Sequence, residues 1–276
     1  MQESHIAGAR AVTTNQADIY DKLEEVVRKY ATTDYLRPIA DHTRAAFGEA
    51  EKFIEGFYNK IPAGHSSYKV ILDSGCGTGE STLNIARQHP DIPVIGIDKS
   101  VARLTKAGGA GVNGASAFPQ NAFLVRAELL DFWRLALEAV QAGRWHIPYH
   151  ALYFPNPWPK QSEATRRFHL HPIFPTLLQL GDTIELRTNW EIYAREFAEA
   201  ARIAKKIPTL VAMRTKQQVA KCCPPGQAGD DKTCAGDDNT GTISCEAFEP
   251  ERPITAFERK YKEARQQLWR VSIHHK

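Results

Sequence analysis

One stretch of this sequence combines acidic side chains with closely spaced glycines, as a ligand-binding loop does. Asp73 follows a short apolar run, and Gly75, Gly77 and Gly79 lead to Glu80, where a helical pattern begins. An apolar strand that enters a glycine loop and opens a helix is the first βα turn of a doubly wound α/β domain, where ligands bind outside the strand's carboxyl end. The two acids disfavour a phosphate at the helix N-terminus and favour a ligand that carries positive charge.

A further acid lies where a nucleoside site needs it. The apolar run at 93–97 ends in Asp98, 19 residues after Gly79, and a carboxylate at this distance accepts hydrogen bonds from ribose hydroxyls. The pattern D-x-G-x-G-x-G resembles the S-adenosylmethionine loop of class I methyltransferases. An ordinary tight βα turn, followed by a solvated acid or a helix cap, is the alternative interpretation of the same residues.

A proline-rich turn follows a later apolar run and carries polar and aromatic side chains. Prolines alternate over 155–159, and they fix the backbone around Asn156 and Trp158 because proline restricts both its own φ angle and the residue before it. An amide in such a turn can be aimed at the edge of a base. Arg166 and Arg167 follow on a predicted helix and suit phosphate contacts, although arginine pairs are also common on ordinary surfaces.

The apolar periodicity predicts the elements that position these residues. Helices are predicted at about 17–29, 39–58, 81–87 and 129–141. Seven strands are predicted at 69–72, 93–98, 123–126, 149–154, 183–187, 209–213 and 268–273. Strands that alternate with helices predict an α/β fold, here a doubly wound, mainly parallel seven-stranded sheet with helices on both faces. The resemblance of the glycine loop implies that this sheet is of the class I methyltransferase type.

The ends of the chain differ in character from this domain. Residues 1–16 are polar and lack periodicity, which predicts a mobile segment, and residues 1–60 together predict a polar segment with a helical extension. For residues 61–276, the resemblance of the glycine loop implies an S-adenosylmethionine-dependent methyltransferase domain. An acidic insertion at about 217–251 interrupts this domain, and its composition predicts disorder or a movable lid.

The charge distribution, the apolar runs and the cysteine spacing indicate which partners, which compartment and which metal sites to expect. Residues 222–251 hold seven acids and one base, whereas residues 252–276 hold seven Lys and Arg against two acids; this distribution fits a phosphate-rich partner, with ordinary surface charge as the alternative. No apolar run can span a bilayer and no signal-peptide core is present, so a cytoplasmic protein without a membrane partner is expected. No metal is expected, because zinc ligands usually pair two to four residues apart, unlike Cys222, Cys223, Cys234 and Cys245.

These motifs together resemble those of the bacterial tRNA (guanine-N7)-methyltransferases. The similarity runs from about Val70 to the end of the chain and is interrupted at 217–251, while the first sixty residues match poorly. The shared features are Pro-x-Pro-Trp-x-Lys at 155–160, the arginines at 166 and 167, Thr188-x-Trp190 with Tyr193, and Thr255-x-Phe257-Glu258. The resemblance implies an S-adenosyl-L-methionine-dependent enzyme that methylates guanine N7 in tRNA.

The resemblance also implies roles for individual positions. The positions that match the cofactor site are Asp73, Gly75, Gly77, Gly79, Asp98, Lys99, Ala127 and Glu128. The positions that match the substrate side are Lys160, Arg166, Arg167, Thr188, Asn189, Thr255 and Glu258. Asn156 and Glu258 fall where the family holds the reacting base, so they are the predicted catalytic residues.

Two departures from the family pattern bear on the substrate. The family's motifs normally read Pro-Asp-Pro-Trp and Thr-Asp-Trp, so Asn156 and Asn189 replace aspartates. A carboxylate accepts from both N1–H and the exocyclic amine of guanine, whereas an amide offers one acceptor oxygen and a donor that can meet O6. Two alternatives therefore stay open: a related methyltransferase for a small heteroaromatic or amine substrate, and a non-catalytic RNA-binding relative.

Overall fold

Strands and helices alternate along the chain in the computed structural model, which describes residues 11–33, 35–60, 67–109, 118–208 and 241–275. The helices are α1 (Leu23–Ala31), α2 (Asp41–Tyr58), α3 (Glu80–Gln88), α4 (Val101–Gly109), α5 (Leu129–Gln141), α6 (Phe174–Leu177), α7 (Glu191–Lys205) and α8 (Ala256–Glu263). The strands are β1 (Tyr68–Lys69), β2 (Ile71–Ser74), β3 (Val94–Asp98), β4 (Ala122–Arg126), β5 (Trp145–His146), β6 (Tyr149–Tyr153), β7 (Thr183–Thr188), β8 (Ile243–Phe248) and β9 (Leu268–His274). Among these residues, no helix is long and apolar enough to cross a membrane.

The main sheet has seven strands in the order β4-β3-β2-β6-β7-β9-β8. β9 pairs antiparallel with both of its neighbours, and the other strands of the sheet run in one direction. Every residue of β2 and β3 is buried, as expected for central parallel strands that helices cover on both faces. The predicted doubly wound, mainly parallel α/β sheet is confirmed.

The last part of the sheet differs from the prediction in one strand. The strand predicted at 209–213 lies outside the described residues. Residues 243–248, predicted to belong to the acidic loop, instead form β8 and pair with β9 from Ile243 opposite Ile273 to Phe248 opposite Leu268. The prediction was wrong there because the acidic, Gly-rich composition of the region obscured a short alternation in which Ile243 and Cys245 are half-buried between exposed residues.

The N-terminal segment also differs from the prediction. Residues 1–10 lie outside the described part, but residues 14–16, predicted to be mobile, contact the body of the protein. Gln16 is buried, and its amide donates to Oε1 of Glu196 on α7 at 2.6 Å. The predicted helix at 17–29 begins only at Leu23 and continues to Ala31, because Leu23, Val27 and Ala31 are its buried face.

A buried chain of hydrogen bonds fixes α5 against the sheet below the candidate site. The Trp133 indole N–H donates to Oγ of Ser74 at 2.8 Å, and that hydroxyl lies 2.8 Å from Nε2 of His150. Nδ1 of His150 lies 2.9 Å from the carbonyl oxygen of Leu180. Burial lowers the pKa of His150 to about 3, so the ring is neutral at pH 7 and its Nδ1–H donates to that carbonyl.

Candidate active site

Five of the predicted site residues gather at the carboxyl edge of the sheet. Glu128, Asp98, Asp73, Asn156 and Asn189 lie at or just after the ends of β4, β3, β2, β6 and β7, which are consecutive in the sheet. The carboxyl ends of parallel strands form one rim, where ligands of open α/β sheets bind. The three acids therefore occupy one half of the rim, and the two amides occupy the other.

The glycine loop is held against β3 by the predicted ribose-binding acid. Gly75, Gly77 and Gly79 have φ angles of 79°, 60° and 79°, a region that residues with a side chain rarely adopt. Oδ2 of Asp98 accepts the Gly77 N–H at 3.0 Å, and its Oδ1 accepts the Ser100 N–H at 2.7 Å. The carboxylate thus sets the shape of the loop. Oδ2 also accepts Nη1 of Arg103 at 3.3 Å, so Oδ1 is the oxygen that keeps a second lone pair for a ligand.

Asp73 presents a buried carboxylate oxygen that has no partner among the described residues. Its Oδ2 accepts the hydroxyls of Ser81 and Thr82, both at 2.6 Å, whereas Oδ1 is buried and unpaired. Burial raises the pKa of Asp73 to about 6. A buried acceptor without a partner is unfavourable, so a cationic or donor group of a ligand at this point would stabilise the ionised carboxylate.

Close packing brings α3 to this carboxylate. A Cβ atom on Gly96 would lie 2.3 Å from Oγ1 of Thr82 and 2.5 Å from a methyl carbon of Leu124. Glycine at position 96 is therefore required for Thr82 to approach the sheet and donate to Asp73. Sequence reasoning missed Ser81 and Thr82, although their positions in the first turn after the glycine loop are a usable signal.

The other predicted cofactor residues surround this half of the rim. Lys99 is exposed, and Ala127 is buried with its N–H donating to the Asp98 carbonyl oxygen at 3.2 Å. Glu128 is half-buried directly before α5. Glu80, which the sequence suggested as a second charge for a cationic ligand, is instead paired with Arg259 of α8, so its charge is already neutralised.

The proline-rich turn holds two residues in a strained conformation. Phe154 and Trp158 have φ angles of 51° and 44°, and a bulky side chain at positive φ costs free energy that the surrounding structure must offset. Asn156 is exposed, and its Oδ1 accepts the Trp158 N–H at 3.3 Å. The Arg166 guanidinium lies 3.3 Å from the centre of the Trp158 ring. Lys160 is exposed beside them.

Arg167 does not have the role that the sequence predicted. Its side chain is fully buried, and Nη1 donates to both oxygens of Glu196 at 2.9 and 2.7 Å. The Nε2 atom of His169 lies 2.8 Å from the same carboxylate. Burial alone raises the pKa of Glu196, but these hydrogen bonds and the charge of Arg167 lower it to about 2. The prediction that Arg167 contacts an RNA phosphate is therefore corrected: its charge is used inside the protein.

Glu258 and both predicted threonines contact the backbone or other side chains. The Thr255 hydroxyl oxygen accepts the Glu258 N–H at 3.0 Å and caps α8, and the Thr188 hydroxyl oxygen accepts the Trp190 N–H at 3.2 Å. Glu258 is fully buried: its Oε2 accepts the Ile254 N–H at 2.7 Å and its Oε1 accepts Nη1 of Arg187 at 2.6 Å. Contact between Glu258 and a base stays a prediction, as does a role for the half-buried Asn189.

Sequence reasoning missed Arg187, a central residue of the half of the rim that carries Asn156 and Asn189. Its guanidinium carbon lies 4.6 Å from the centre of the Tyr153 ring and 5.4 Å from the centre of the Phe248 ring. The guanidinium also pairs with Glu185 and Glu258. Burial alone lowers the pKa of Arg187, but the neighbouring Tyr153 and the two carboxylates raise it. A strand with charges at alternate positions, Glu185 and Arg187, was the available signal, since both lie on one face of β7.

No group of three or more potential metal ligands occurs among the described residues. Cys222, Cys223 and Cys234 lie outside them. Cys245 is a half-buried free thiol on β8.

Comparison with known proteins gives matches over much of the chain. Residues 67–223 match the family model Methyltransf_4, described as "Putative methyltransferase". A tRNA (guanine-N(7)-)-methyltransferase from Actinobacillus pleuropneumoniae is 30% identical over 186 residues, which cover 64% of this chain and 68% of the relative. One from Acinetobacter baylyi is 30% identical over 137 residues, which cover 47% of this chain and 51% of the relative. The chain spans about half the length of most of the curated relatives it matches.

Solved structures were matched as well. "Structure of an Antibiotic Related Methyltransferase" has 12% sequence identity and a TM-score of 0.41, and the match covers 89% of this chain and 98% of that one. The "delta-N METTL16 MTase domain" has 10% identity and a TM-score of 0.44, with 82% of each chain covered.

Proposed function

Because this chain belongs to the family of tRNA (guanine-N7)-methyltransferases, we propose that it transfers a methyl group from S-adenosylmethionine to N7 of a guanine in tRNA. The observation that carries the proposal is the rim itself. Asp73, with its unpaired Oδ1, lies on β2, and the turn that exposes Asn156 follows β6, the neighbouring strand. This arrangement supports a site for a cationic donor next to a site for an acceptor.

The residues of the acidic half fit the proposed cofactor. S-adenosylmethionine, when bound, supplies a methyl group on a positively charged sulfonium and also carries an ammonium group. Asp73 would hold positive charge on the amino-acid portion, since its Oδ1 is a buried acceptor without a partner among the described residues. Asp98 would accept from the ribose hydroxyls and Glu128 from the adenine amino group, with the glycine loop, Lys99 and Ala127 around them.

The amide half would hold the acceptor. The N7 lone pair of guanine carries no proton, so the chain needs no general base, and it contributes alignment of the base and placement of charge around it. Asn156 would meet the edge of the base from its rigid turn. Lys160 and Arg166 are exposed cations beside it and would hold RNA phosphates.

The proposal is tested by methyl transfer from labelled S-adenosylmethionine to bulk tRNA from a host that lacks guanine-N7 methylation, with the product nucleosides identified. We expect label in 7-methylguanosine. Arg166→Gln should weaken tRNA binding, whereas the control Arg28→Gln, at an exposed arginine paired with Glu24 on α1, should not. Label in another nucleoside would contradict the assignment to N7.

The amides at 156 and 189 favour one alternative specifically. Where the family pattern has two carboxylates, this chain presents neutral groups, which suits a small heteroaromatic or amine acceptor as well as guanine. Binding of S-adenosylmethionine with no labelling of any tRNA, together with turnover of a small acceptor, would decide for that alternative. A non-catalytic RNA-binding relative would bind tRNA without binding the cofactor.

A further inference from the structure

Two carbonyls of the proline-rich turn, and the N–H of Gln161 just after it, are held by side chains outside the turn. The Thr14 hydroxyl donates to the Pro159 carbonyl oxygen at 2.5 Å, and Oδ1 of Asn15 accepts the Gln161 N–H at 3.1 Å. Nε and Nη2 of Arg167 both donate to the Trp158 carbonyl oxygen, at 3.2 and 2.9 Å. Because proline lacks an N–H, this turn has few donors for its own carbonyls. Thr14 and Arg167 supply those donors, and Asn15 supplies an acceptor for the N–H that follows the turn.

The external groups are themselves joined in a closed, buried set. Nη2 of Arg167 donates to Oε1 of Gln16 at 3.0 Å, and Nη1 binds Glu196. The Gln16 amide returns to Glu196 at 2.6 Å. The Arg167 guanidinium also lies 4.7 Å from the centre of the ring of Trp190, the residue that follows Asn189. One guanidinium thus connects the turn, the N-terminal segment, α7 and the end of β7.

The strained backbone of the turn explains why these contacts are needed. Phe154 and Trp158 adopt positive φ on either side of Asn156, and such conformations persist only where the surroundings hold them. We propose that Thr14, Asn15, Gln16 and Arg167 form a clamp that positions the turn for methyl transfer. They are positioning residues: Thr14 and Arg167 bind carbonyls of the turn, Asn15 binds the N–H of Gln161 directly after it, and Gln16 holds Arg167. None of them is assigned to the substrate. The inference rests on the proposed function for its kinetic consequence alone.

Variants in the outer part of the clamp, Thr14 and Asn15, distinguish an effect on positioning of the turn from an effect on the stability of the protein. Thr14 is half-buried and Asn15 is exposed, so the double variant Thr14→Val, Asn15→Ala removes two contacts to the turn without opening the core. A rigid catalytic constellation is sensitive to small displacements, and misplacement by about 1 Å can cost on the order of 100-fold in rate. The matched control is Thr33→Val, which removes an exposed hydroxyl that donates to the Lys29 carbonyl oxygen at the end of α1 and makes no hydrogen bond to the described residues of the turn.

The test measures the turn and the rate separately. Amide hydrogen exchange reads the turn through the N–H groups of Trp158 and Gln161, which have acceptors in Asn156 and Asn15 and should exchange about tenfold faster in the double variant than in the wild type. The kcat for tRNA should fall about tenfold, with the cofactor Kd and the urea midpoint unchanged. Arg167→Lys should show the same faster exchange and lower kcat together with a lower urea midpoint, because lysine keeps the charge against Glu196 but leaves the Trp158 carbonyl and Oε1 of Gln16 without their donor.

The outcomes distinguish the clamp from the proposed function. Exchange and kcat equal to those of Thr33→Val would overturn the clamp, and so would a parallel loss of cofactor affinity and stability in the double variant, since that pattern marks a merely structural role. If the wild type methylates no tRNA, faster exchange confined to the turn would still support the clamp while the function fails.

Discussion

The half of the rim that carries the glycine loop is held by residues close in sequence. The half that carries the proline-rich turn is held by Arg167, nine positions after Trp158, and also by residues from distant parts of the chain. Asp73 binds side chains eight and nine positions away. Pro159 in the turn and Gln161 just after it bind residues 145 and 146 positions away. The donor side is thus determined by local sequence, while the acceptor side exists only once the tertiary fold has formed.

The variant with the largest expected effect removes the arginine that links the proline-rich turn to the N-terminal segment and α7. Arg167→Met should lower the free energy of unfolding by about 3–5 kcal/mol, because removing one partner leaves the charge of Glu196 buried without its cation. Urea unfolding measures the change. The control, Arg202→Met, removes a surface arginine paired with Glu199, and it should cost about 0–1 kcal/mol. Equal losses in the two variants would contradict the buried pairing.

A second variant addresses the local support. Asp98→Ala should weaken S-adenosylmethionine binding by about 10–100-fold, since it removes the acceptor of the Gly77 and Ser100 N–H groups together with the proposed ribose contact. Calorimetric titration measures the Kd, and urea unfolding reports any loss of fold. Retained affinity would show that the glycine loop does not need this carboxylate and would remove Asp98 from the cofactor site.

The pKa of Asp73 gives the donor side a pH dependence. Its value of about 6 means that the carboxylate becomes protonated as the pH falls through 6, and only the ionised form attracts a cation. Affinity for S-adenosylmethionine should therefore be constant above about pH 7 and about tenfold weaker at pH 5. In Asp73→Asn the affinity should be low throughout and lack this inflection. The same inflection in that variant would assign it to another group.

The contrast between local and distant support explains what the sequence could predict. The glycine loop and Asp98 follow from a run of apolar residues and a fixed spacing, so the sheet edge and the cofactor side were predictable. The roles of Arg166 and Arg167 were not, because helical periodicity does not reveal which of two adjacent arginines faces a buried glutamate. Gln16 looked like part of a polar tail, since nothing local indicates a partner on α7.

The variant with the smallest expected effect tests how the acceptor side contacts the base. Asn156→Asp restores the carboxylate of the family pattern, and an ionised acceptor forms stronger hydrogen bonds to the N1–H and amine of guanine. The KM for tRNA should fall about fivefold, corresponding to about 1 kcal/mol, with the cofactor Kd unchanged. Initial-rate kinetics measure it. A higher KM would show that the amide's N–H groups are needed and would favour contact with O6.

The most direct test of the central claim uses tRNA transcripts prepared with either guanosine or 7-deazaguanosine, which replaces N7 by a carbon and leaves the Watson–Crick edge intact. Methyl transfer from S-adenosylmethionine is measured on both under identical conditions. The proposed reaction predicts incorporation into the guanosine transcript and none into the 7-deazaguanosine transcript, with similar binding of the two. Equal incorporation into both would contradict transfer to guanine N7.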